Sequence, residues 1–379
     1  MKHIFHFRWL VISLLVFALT PVTRASESEV YKLLELLIKK GVIMQEDAAG
    51  LRADLAVSKQ AEKDKQKEFG VVAGKPIKIS GYTQLRYQSL EEKGKNDSFD
   101  IRRARLDIKG DLSEGFDYRF QGDFAGSSAK LLDATFGYKV NPYLKLTAGQ
   151  FKIPFSQENL TSSPKLETIN RSQVVEALVA RSKDVIGNQN GRDIGVQASG
   201  SFLQTDDRYL FDYAVGVFDG AGINASDNND RKDFAGRIVV HPIQGLDIGG
   251  SFYTGDDRWG KNSTSNQTRD RVGIECAYVY KSLNLKGEYI RGKDGSTKKD
   301  GWYLQSGYYI IPNKVQGVLK YDTFDPDRET DNDKTNVSTL GLNWYVNKWA
   351  FLQVDYEFKD EQGTKVDNDV FSTQLTLQF

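Results

Sequence analysis

From Lys75 to Phe379 the apolar residues of this 379-residue chain recur with a period of two, and no other feature narrows its folds as far. The last segment, D-V-F-S-T-Q-L-T-L-Q-F over 369–379, shows the pattern most clearly. Phe371, Thr373, Leu375, Leu377 and Phe379 fall on one side, and Ser372, Gln374, Thr376 and Gln378 on the other. Successive side chains of a strand point to opposite faces, so such a segment has one apolar wall and one polar wall. The first alternating segment, 77–88, does the same. Ile77, Ile79, Gly81, Thr83, Leu85 and Tyr87 oppose Lys78, Ser80, Tyr82, Gln84, Arg86 and Gln88.

Further strands are expected near 98–111, 116–125, 129–140, 143–152, 191–203, 209–219 and 232–242. The rest are expected near 246–256, 268–281, 284–292, 300–311, 315–324, 334–346, 350–360 and 369–379, which makes sixteen. An even number of such strands predicts an all-β chain closed into an up-and-down antiparallel barrel. A terminal Phe379 after this alternation resembles the assembly signal of bacterial outer-membrane barrels, which places the apolar wall in lipid and the polar wall in a wet lumen. The connections sort by parity. Those after even-numbered strands are tight (112–115, 141–142, 241–245, 311–313, 346–348). Most after odd-numbered strands are longer and polar (219–231, 256–267, 293–299, 325–333, 360–368), with 126–128 a short exception. Short turns at one rim and long loops at the other are what a transmembrane barrel with both termini in the periplasm produces.

Residues 1–25 read as a secretory signal peptide: Lys2 and Arg8, an apolar run over 9–19 broken only by Ser13, then Pro21 and the small-x-small site Thr23-Arg24-Ala25. The rival reading is an N-terminal anchor. No other stretch is long and apolar enough for a helical span. In 26–74 the period is helical. Val30, Leu33, Leu34, Leu37 and Ile38 lead to Gly41, a second helical stretch carries Leu51 and Leu55, and a charged run leads to a Gly70–Gly74 linker. This reads as a short helical or coiled-coil periplasmic segment, with 57–74 equally readable as a solvated extension. The barrel is expected to occupy 75–379.

One connection is out of scale. Residues 153–190 carry Val174, Val175, Leu178 and Val179 in a helix-like stretch, and loops of this length are usually functional or disordered. With apolar residues to bury, this one is expected to fold into the lumen and constrict it.

The run F-D-I-R-R-A-R-L-D-I-K-G-D over 99–111 is followed by F-D-Y-R-F-Q-G-D-F. After these come L-L-D-A-T-F-G-Y over 131–138 and G-Q-F-K-I-P-F-S-Q-E-N-L-T-S-S over 149–163. Together they resemble the phosphate-selective porin O and P family of Gram-negative outer membranes, closely over about 77–200 and by strand pattern beyond. The resemblance implies a sixteen-stranded outer-membrane porin, usually a homotrimer in contact with lipid and lipopolysaccharide. It also implies passive diffusion of small hydrophilic solutes, with lumenal cations that conduct phosphate and related anions. Carried onto this chain, the anion-binding candidates are Arg86, Arg103, Arg105, Lys109 and Arg119 on the wall. Lys152, Arg171, Arg181 and Arg192 lie in or beside the long loop. Forked guanidinium donors match phosphate oxygens, and several weak sites in a row allow release as well as entry.

Against this stand Asp107, Asp117, Asp123, Asp133 and Asp193, which share the polar face and can pair those arginines. Residues 75–379 carry 40 basic and 42 acidic groups, so no net positive field is expected over the whole barrel. Three readings therefore stand: a general porin, an anion-preferring porin, and a plugged barrel acting as a binding or structural protein. Phe99 and Ile101 are out of phase with Ala104, Leu106 and Ile108, which predicts a bulge near Arg102.

Other classes find little support. The chain without 1–25 has 48 basic and 51 acidic groups, unlike a nucleic-acid binder. Cys276 is the sole cysteine and is expected to face lipid with Ile274 and Tyr278. His241, before Pro242, is the one histidine beyond the signal peptide, and a turn residue is its simplest role; Ser251 is the nearest serine for an enzymatic pairing. No zinc spacing occurs, and the acidic tips 227–230 and 325–333 lack the glycine and terminal glutamate of an EF-hand loop. No cofactor is expected. Tyr87, Tyr138, Tyr143, Trp302, Tyr345 and Trp349 are expected in the interfacial girdles.

Overall fold

The computed structural model describes residues 71–72, 75–205, 208–259 and 264–379. The signal peptide read at 1–25 and the helical segment read within 26–70 lie outside the described residues. A two-residue ladder pairs Val71–Val72 with Lys75–Pro76 ahead of the barrel.

Sixteen antiparallel strands then close on themselves. They are β1 (Lys78–Leu90), β2 (Ser98–Ser113), β3 (Phe116–Asp123), β4 (Lys130–Asn141) and β5 (Leu144–Lys152). Next come β6 (Arg192–Gln204), β7 (Tyr209–Phe218), β8 (Asp233–Val240), β9 (Leu246–Asp257), β10 (Gln267–Tyr280) and β11 (Leu283–Asp294). The last five are β12 (Thr297–Ile311), β13 (Val315–Asp325), β14 (Thr335–Asn347), β15 (Ala350–Glu361) and β16 (Val370–Gln378). Each strand pairs with its sequence neighbours, and β16 pairs with β1 from Val370–Leu90 to Gln378–Tyr82. A closed ladder satisfies every backbone donor without water, which is the condition for crossing a bilayer as sheet.

The alternation sets the two faces. Leu85, Ile101, Phe136, Ile274, Leu304 and Leu319 are exposed on the outer wall, and Cys276 is exposed in line with Ile274. Gln84, Asp133, Gln305, Gln316, Gln374 and Thr376 are buried on the inner side. The expected bulge is present. Leu85 pairs with Ile101 and Gln84 with Arg103, which leaves Arg102 as the extra residue of β2.

Two expectations fail locally. The connection after β11, expected to be long over 293–299, is a two-residue turn at Gly295-Ser296, because both strands extend to meet at Asp294 and Thr297. Tyr345 does not join the outer girdle. Its hydroxyl donates to Gln316 Oε1 at 3.2 Å, and its ring lies against Tyr309 and Phe351 inside the barrel mouth. Tyr138, Tyr143, Trp302 and Trp349 are exposed. His241 follows β8 and bridges two carboxylates, with Nδ1 2.6 Å from Asp247 and Nε2 3.1 Å from Asp212.

Burial works against the charge on His241, but the hydrogen bonds its ring donates to Asp247 and Asp212 outweigh it and raise its pKa above the ordinary 6.5. A raised folded-state value means a stabilising contribution that is full below pH 6.5 and is lost as pH rises through the His241 midpoint. An NMR titration of His241 is expected to show that elevated midpoint. His241→Gln is expected to flatten thermal stability over the same interval; an unshifted midpoint would refute the bridge.

The seam supplies a second prediction. Phe379 N donates to Gly81 O at 3.0 Å, and Gly81 N to Phe379 O at 3.1 Å. A Cβ at position 81 would lie 2.6 Å from the Phe379 ring and 2.6 Å from Arg105 O. Gly81→Val is therefore expected to lower the yield of heat-modifiable, folded barrel on gel electrophoresis, as is deletion of Phe379.

Candidate functional site: the inward loop and the arginine wall

The connection 153–191, called L3 below, lies inside the barrel and divides its lumen unequally. It contains a short helix α1 (Gln157–Leu160), a 3-10 turn (Ser163–Lys165) and a second helix α2 (Gln173–Leu178). Ile153, Phe155, Val174, Val175, Leu178 and Val179 form one apolar cluster with Phe218, Ala235, Tyr253, Ile290, Tyr303 and Phe324 of the strands. Burying a side chain of this size contributes about 1.5–3 kcal/mol, so the cluster is a true core placed inside the lumen. Inner-wall glycines make room for it. A Cβ at Gly273 would meet Phe155 at 3.3 Å, one at Gly292 would meet Leu178 at 2.9 Å, and one at Gly301 would meet Val174 at 2.9 Å.

Wall carboxylates hold the backbone of L3. Glu275 accepts from Gln157 N at 2.9 Å, Glu288 from Glu158 N at 2.7 Å, Asp322 from Gln173 N at 3.2 Å and Asp355 from Ile169 N at 2.6 Å. The first two serve orphan donors at the start of α1. Glu158 in turn accepts from Ser172 N and Oγ at the start of α2. Asp184 pairs with the buried Arg269, and Glu167 accepts from Asn284, Gln305 and Gln316. Side chains from β9 to β15 thus grip L3 along most of its length.

The opposite wall, β1 to β4, stays open. Between it and L3 lies a cavity of about 620 Å³ lined by Arg86, Arg102, Arg103, Arg105, Arg171 and Arg181 among others. Its lining carries nine basic and five acidic side chains. A second cavity of about 300 Å³, lined by Arg105, Arg119, Lys165 and Lys348, carries Asp107 as its one acidic residue. Arg105 lines both. The charge balance of the whole barrel therefore hides a local cationic excess along one wall.

The nine candidate residues fall into different roles. Arg86 pairs with Asp100 through two hydrogen bonds of 2.9 and 2.7 Å. Arg105 donates to Asp123 at 2.8 Å and to Tyr82 Oη at 2.9 Å. Arg119 forks onto Asp107 at 2.9 Å and reaches Asp133 at 3.2 Å. Arg192 is 2% exposed and forks onto Asp133 at 2.8 and 3.1 Å, so it stitches strand to strand and does not reach the cavity surface. Lys152 Nζ is spent on the carbonyls of Asn159, Leu160 and Thr161 at the end of α1. Lys109 is exposed, paired in register with Lys78 and Arg119, and outside both cavities.

Three candidates, and one residue that spacing alone did not select, are held by neutral partners. Arg103 donates to Gln84 Oε1 at 2.8 Å. Arg171 donates to the carbonyls of Glu158 and Thr161 at 3.1 and 3.0 Å. Arg181 donates to Asn159 Oδ1 at 2.7 Å and to Asn190 O at 3.3 Å. Arg102, turned inward by the bulge, donates to Ile169 O at 2.6 Å and Asn170 Oδ1 at 2.8 Å. No described carboxylate forms an ion pair with these four, and all four line the larger cavity. Glu176, also in that lining, is engaged by Ser182 N and Oγ. Gly191 permits the Arg181 arrangement: at φ +69° its missing Cβ would sit 1.8 Å from Asn159 Oδ1.

The profile of the family described as phosphate-selective porin O and P matches residues 78–379. An uncharacterized protein of Aquifex aeolicus (strain VF5) is 25% identical, with 97% of this chain and 98% of that protein covered. The anion-selective porin from Comamonas acidovorans superposes with a TM-score of 0.61 at 15% identity, over 80% of this chain and 99% of that one. The outer-membrane channel DcaP of Acinetobacter baumannii gives 0.57 at 16% identity, over 82% and 99%. At such identities the two structures establish a shared fold.

Gly292→Leu tests the L3 core. A side chain there must displace Leu178, so the variant is expected to loosen L3, raise single-channel conductance and open 153–191 to protease. Unchanged conductance and protection would show that L3 is held elsewhere.

Proposed function

Because the chain belongs to the phosphate-selective porin O and P family and is an outer-membrane porin, we propose that it conducts anions in preference to cations along the β1–β4 wall. The carrying observation is the excess of basic over acidic side chains in the two cavities that share Arg105, nine to five in one and four to one in the other. Neutral hydrogen bonds orient Arg102, Arg103, Arg171 and Arg181 without cancelling their charge. A guanidinium held out of bulk water beside others of like charge is unfavourable alone and becomes favourable when an anion enters. Forked donors suit the oxygens of phosphate and related oxyanions, and spacing the cations along a wet path keeps each site weak enough to release its ion. Arg86, Arg105 and Arg119 are already paired with aspartates and have less to offer a passing anion. A homotrimer in the lipid and lipopolysaccharide of the outer membrane belongs to the same proposal, supported by OmpT, an outer-membrane protein of Vibrio cholerae with the same fold, described in trimer form.

A general diffusion pore is the second reading, favoured by the near balance of 40 basic and 42 acidic groups over 75–379. Planar-bilayer recording in a potassium chloride gradient separates the two. The reversal potential is expected on the anion side, and Arg181→Gln is expected to lower the anion-over-cation permeability ratio roughly twofold, the order set by one unit charge at several ångströms in a wet lumen. A reversal potential near zero selects the general pore. Absence of steady current steps would select a plugged barrel. Phosphate added to chloride is expected to reduce the current, and a current insensitive to phosphate would leave anion preference without oxyanion recognition.

A further inference from the structure

Arg102 is an inserted residue. On β1, Gln84 and Leu85 are adjacent; on β2 their partners are Arg103 and Ile101, with Arg102 between them facing no partner of its own. In such a bulge two residues of one strand oppose one of the other. Ile101 is exposed on the outer wall, whereas Arg102 and Arg103 both line the lumenal cavity. Without the insertion Ile101 and Arg103 would alternate directly, and a single guanidinium would stand at this height.

The two arginines do different things. Arg102 Nη1 donates to Ile169 O at 2.6 Å and Nη2 to Asn170 Oδ1 at 2.8 Å, with Gln374 Oε1 at 3.5 Å from Nη1. Both main partners sit on the stretch of L3 between its 3-10 turn and α2. That stretch is also held by β13 and β15. Asp355 accepts from Ile169 N at 2.6 Å, Glu357 from Asn170 Nδ2 at 2.8 Å, and Lys320 donates to Asn170 O at 2.8 Å. Arg102 ties the same stretch to the arginine wall. Arg103 makes one hydrogen bond, to Gln84, and a guanidinium has five N–H donors, so most of its donors are left for what passes.

We propose that the bulge is the aperture-setting device of this pore: Arg102 is a positioning residue that draws L3 onto the β2 wall, and Arg103 beside it is the residue that meets the ion. The part assigned to Arg103 rests on the anion-preferring reading; the part assigned to Arg102 concerns width and stands without it.

The sequence offers an unusual test. Since positions 102 and 103 are both arginine, deleting either produces the same chain, with one inward arginine in unbroken alternation and no change to the rest of the ladder. This deletion is compared with Arg102→Gln, Arg102→Lys and Arg103→Gln in planar bilayers. The deletion and Arg102→Gln are expected to raise single-channel conductance. Arg102→Lys keeps the charge but not the fork that spans Ile169 O and Asn170. It is expected to show the same raised conductance with the wild-type permeability ratio. Arg103→Gln is expected to keep wild-type conductance and to lower the anion-over-cation ratio roughly twofold.

Wild-type conductance in the deletion and in Arg102→Gln would overturn the positioning role, and so would restoration of wild-type conductance by Arg102→Lys, since charge alone would then account for the effect. A wild-type permeability ratio in Arg103→Gln would overturn the role of Arg103. If the deleted chain fails to assemble, Arg102→Gln, which retains the bulge, decides the question. A wild-type pore without anion preference would defeat the proposed function, yet a conductance rise on losing Arg102 would still establish the clamp.

Discussion

Everything that distinguishes one side of this lumen from the other depends on the apolar contact between L3 and the inner wall from β7 to β13. A porin lumen is wet, and a polar loop in it would find solvent on every side and no reason to rest against one wall. Phe155, Val174 and Leu178 supply that reason, and Gly273, Gly292 and Gly301 supply the recesses. Carboxylates on β10, β11, β13 and β15 then fix the orientation by taking backbone donors that a short helix or turn leaves unpaired. The apolar cluster decides which half is filled, and the directional hydrogen bonds decide how.

Filling one half concentrates function in the other. A barrel with almost equal numbers of acids and bases has no useful mean field, but an ion does not sample the mean. It passes within a few ångströms of β1 to β4, where salt screening over about 8–10 Å is incomplete and local charges act individually. The aspartates at 107, 123 and 133 neutralise Arg119, Arg105 and Arg192 in pairs. The arginines without an ion-pair partner among the described residues come from the bulge of β2 and from L3 itself. Selectivity in this arrangement belongs to the juxtaposition of loop and wall more than to either alone.

That division explains what could be read from the residues. Strand number, the β16–β1 seam and the bulge were legible because all three are written in a period of two: the phase break from Ile101 to Ala104 can be counted without knowing the fold. The pairing of Arg192 with Asp133 was not, since 59 positions separate them and nothing local marks one as the other's partner. Tyr345 falls in phase with the buried Val337, Thr339 and Asn343, so the alternation places it on the inner face; an aromatic at a strand end is by itself no sign of the girdle. The inner-wall glycines carry no signal by themselves, because a glycine in a strand becomes meaningful only when the side chain that needs its space is known.

Buried guanidiniums with neutral partners and paired ones differ in what they leave for an ion. A forked Arg–Asp pair satisfies both groups and has little left to offer a passing ion, as Arg119 on Asp107 shows. An arginine held by carbonyls and amides is positioned just as firmly yet keeps its charge and its remaining donors. Each such residue is costly in a desolvated site, and several close together repel one another. The fold offsets that cost through the L3 core, packed against β7 to β13, and through carboxylate anchors, two of which, Asp322 and Glu357, also line the cavity of the four arginines. The apolar core, more than the anchors, is what lets charge in the cavity be changed without dismantling the loop.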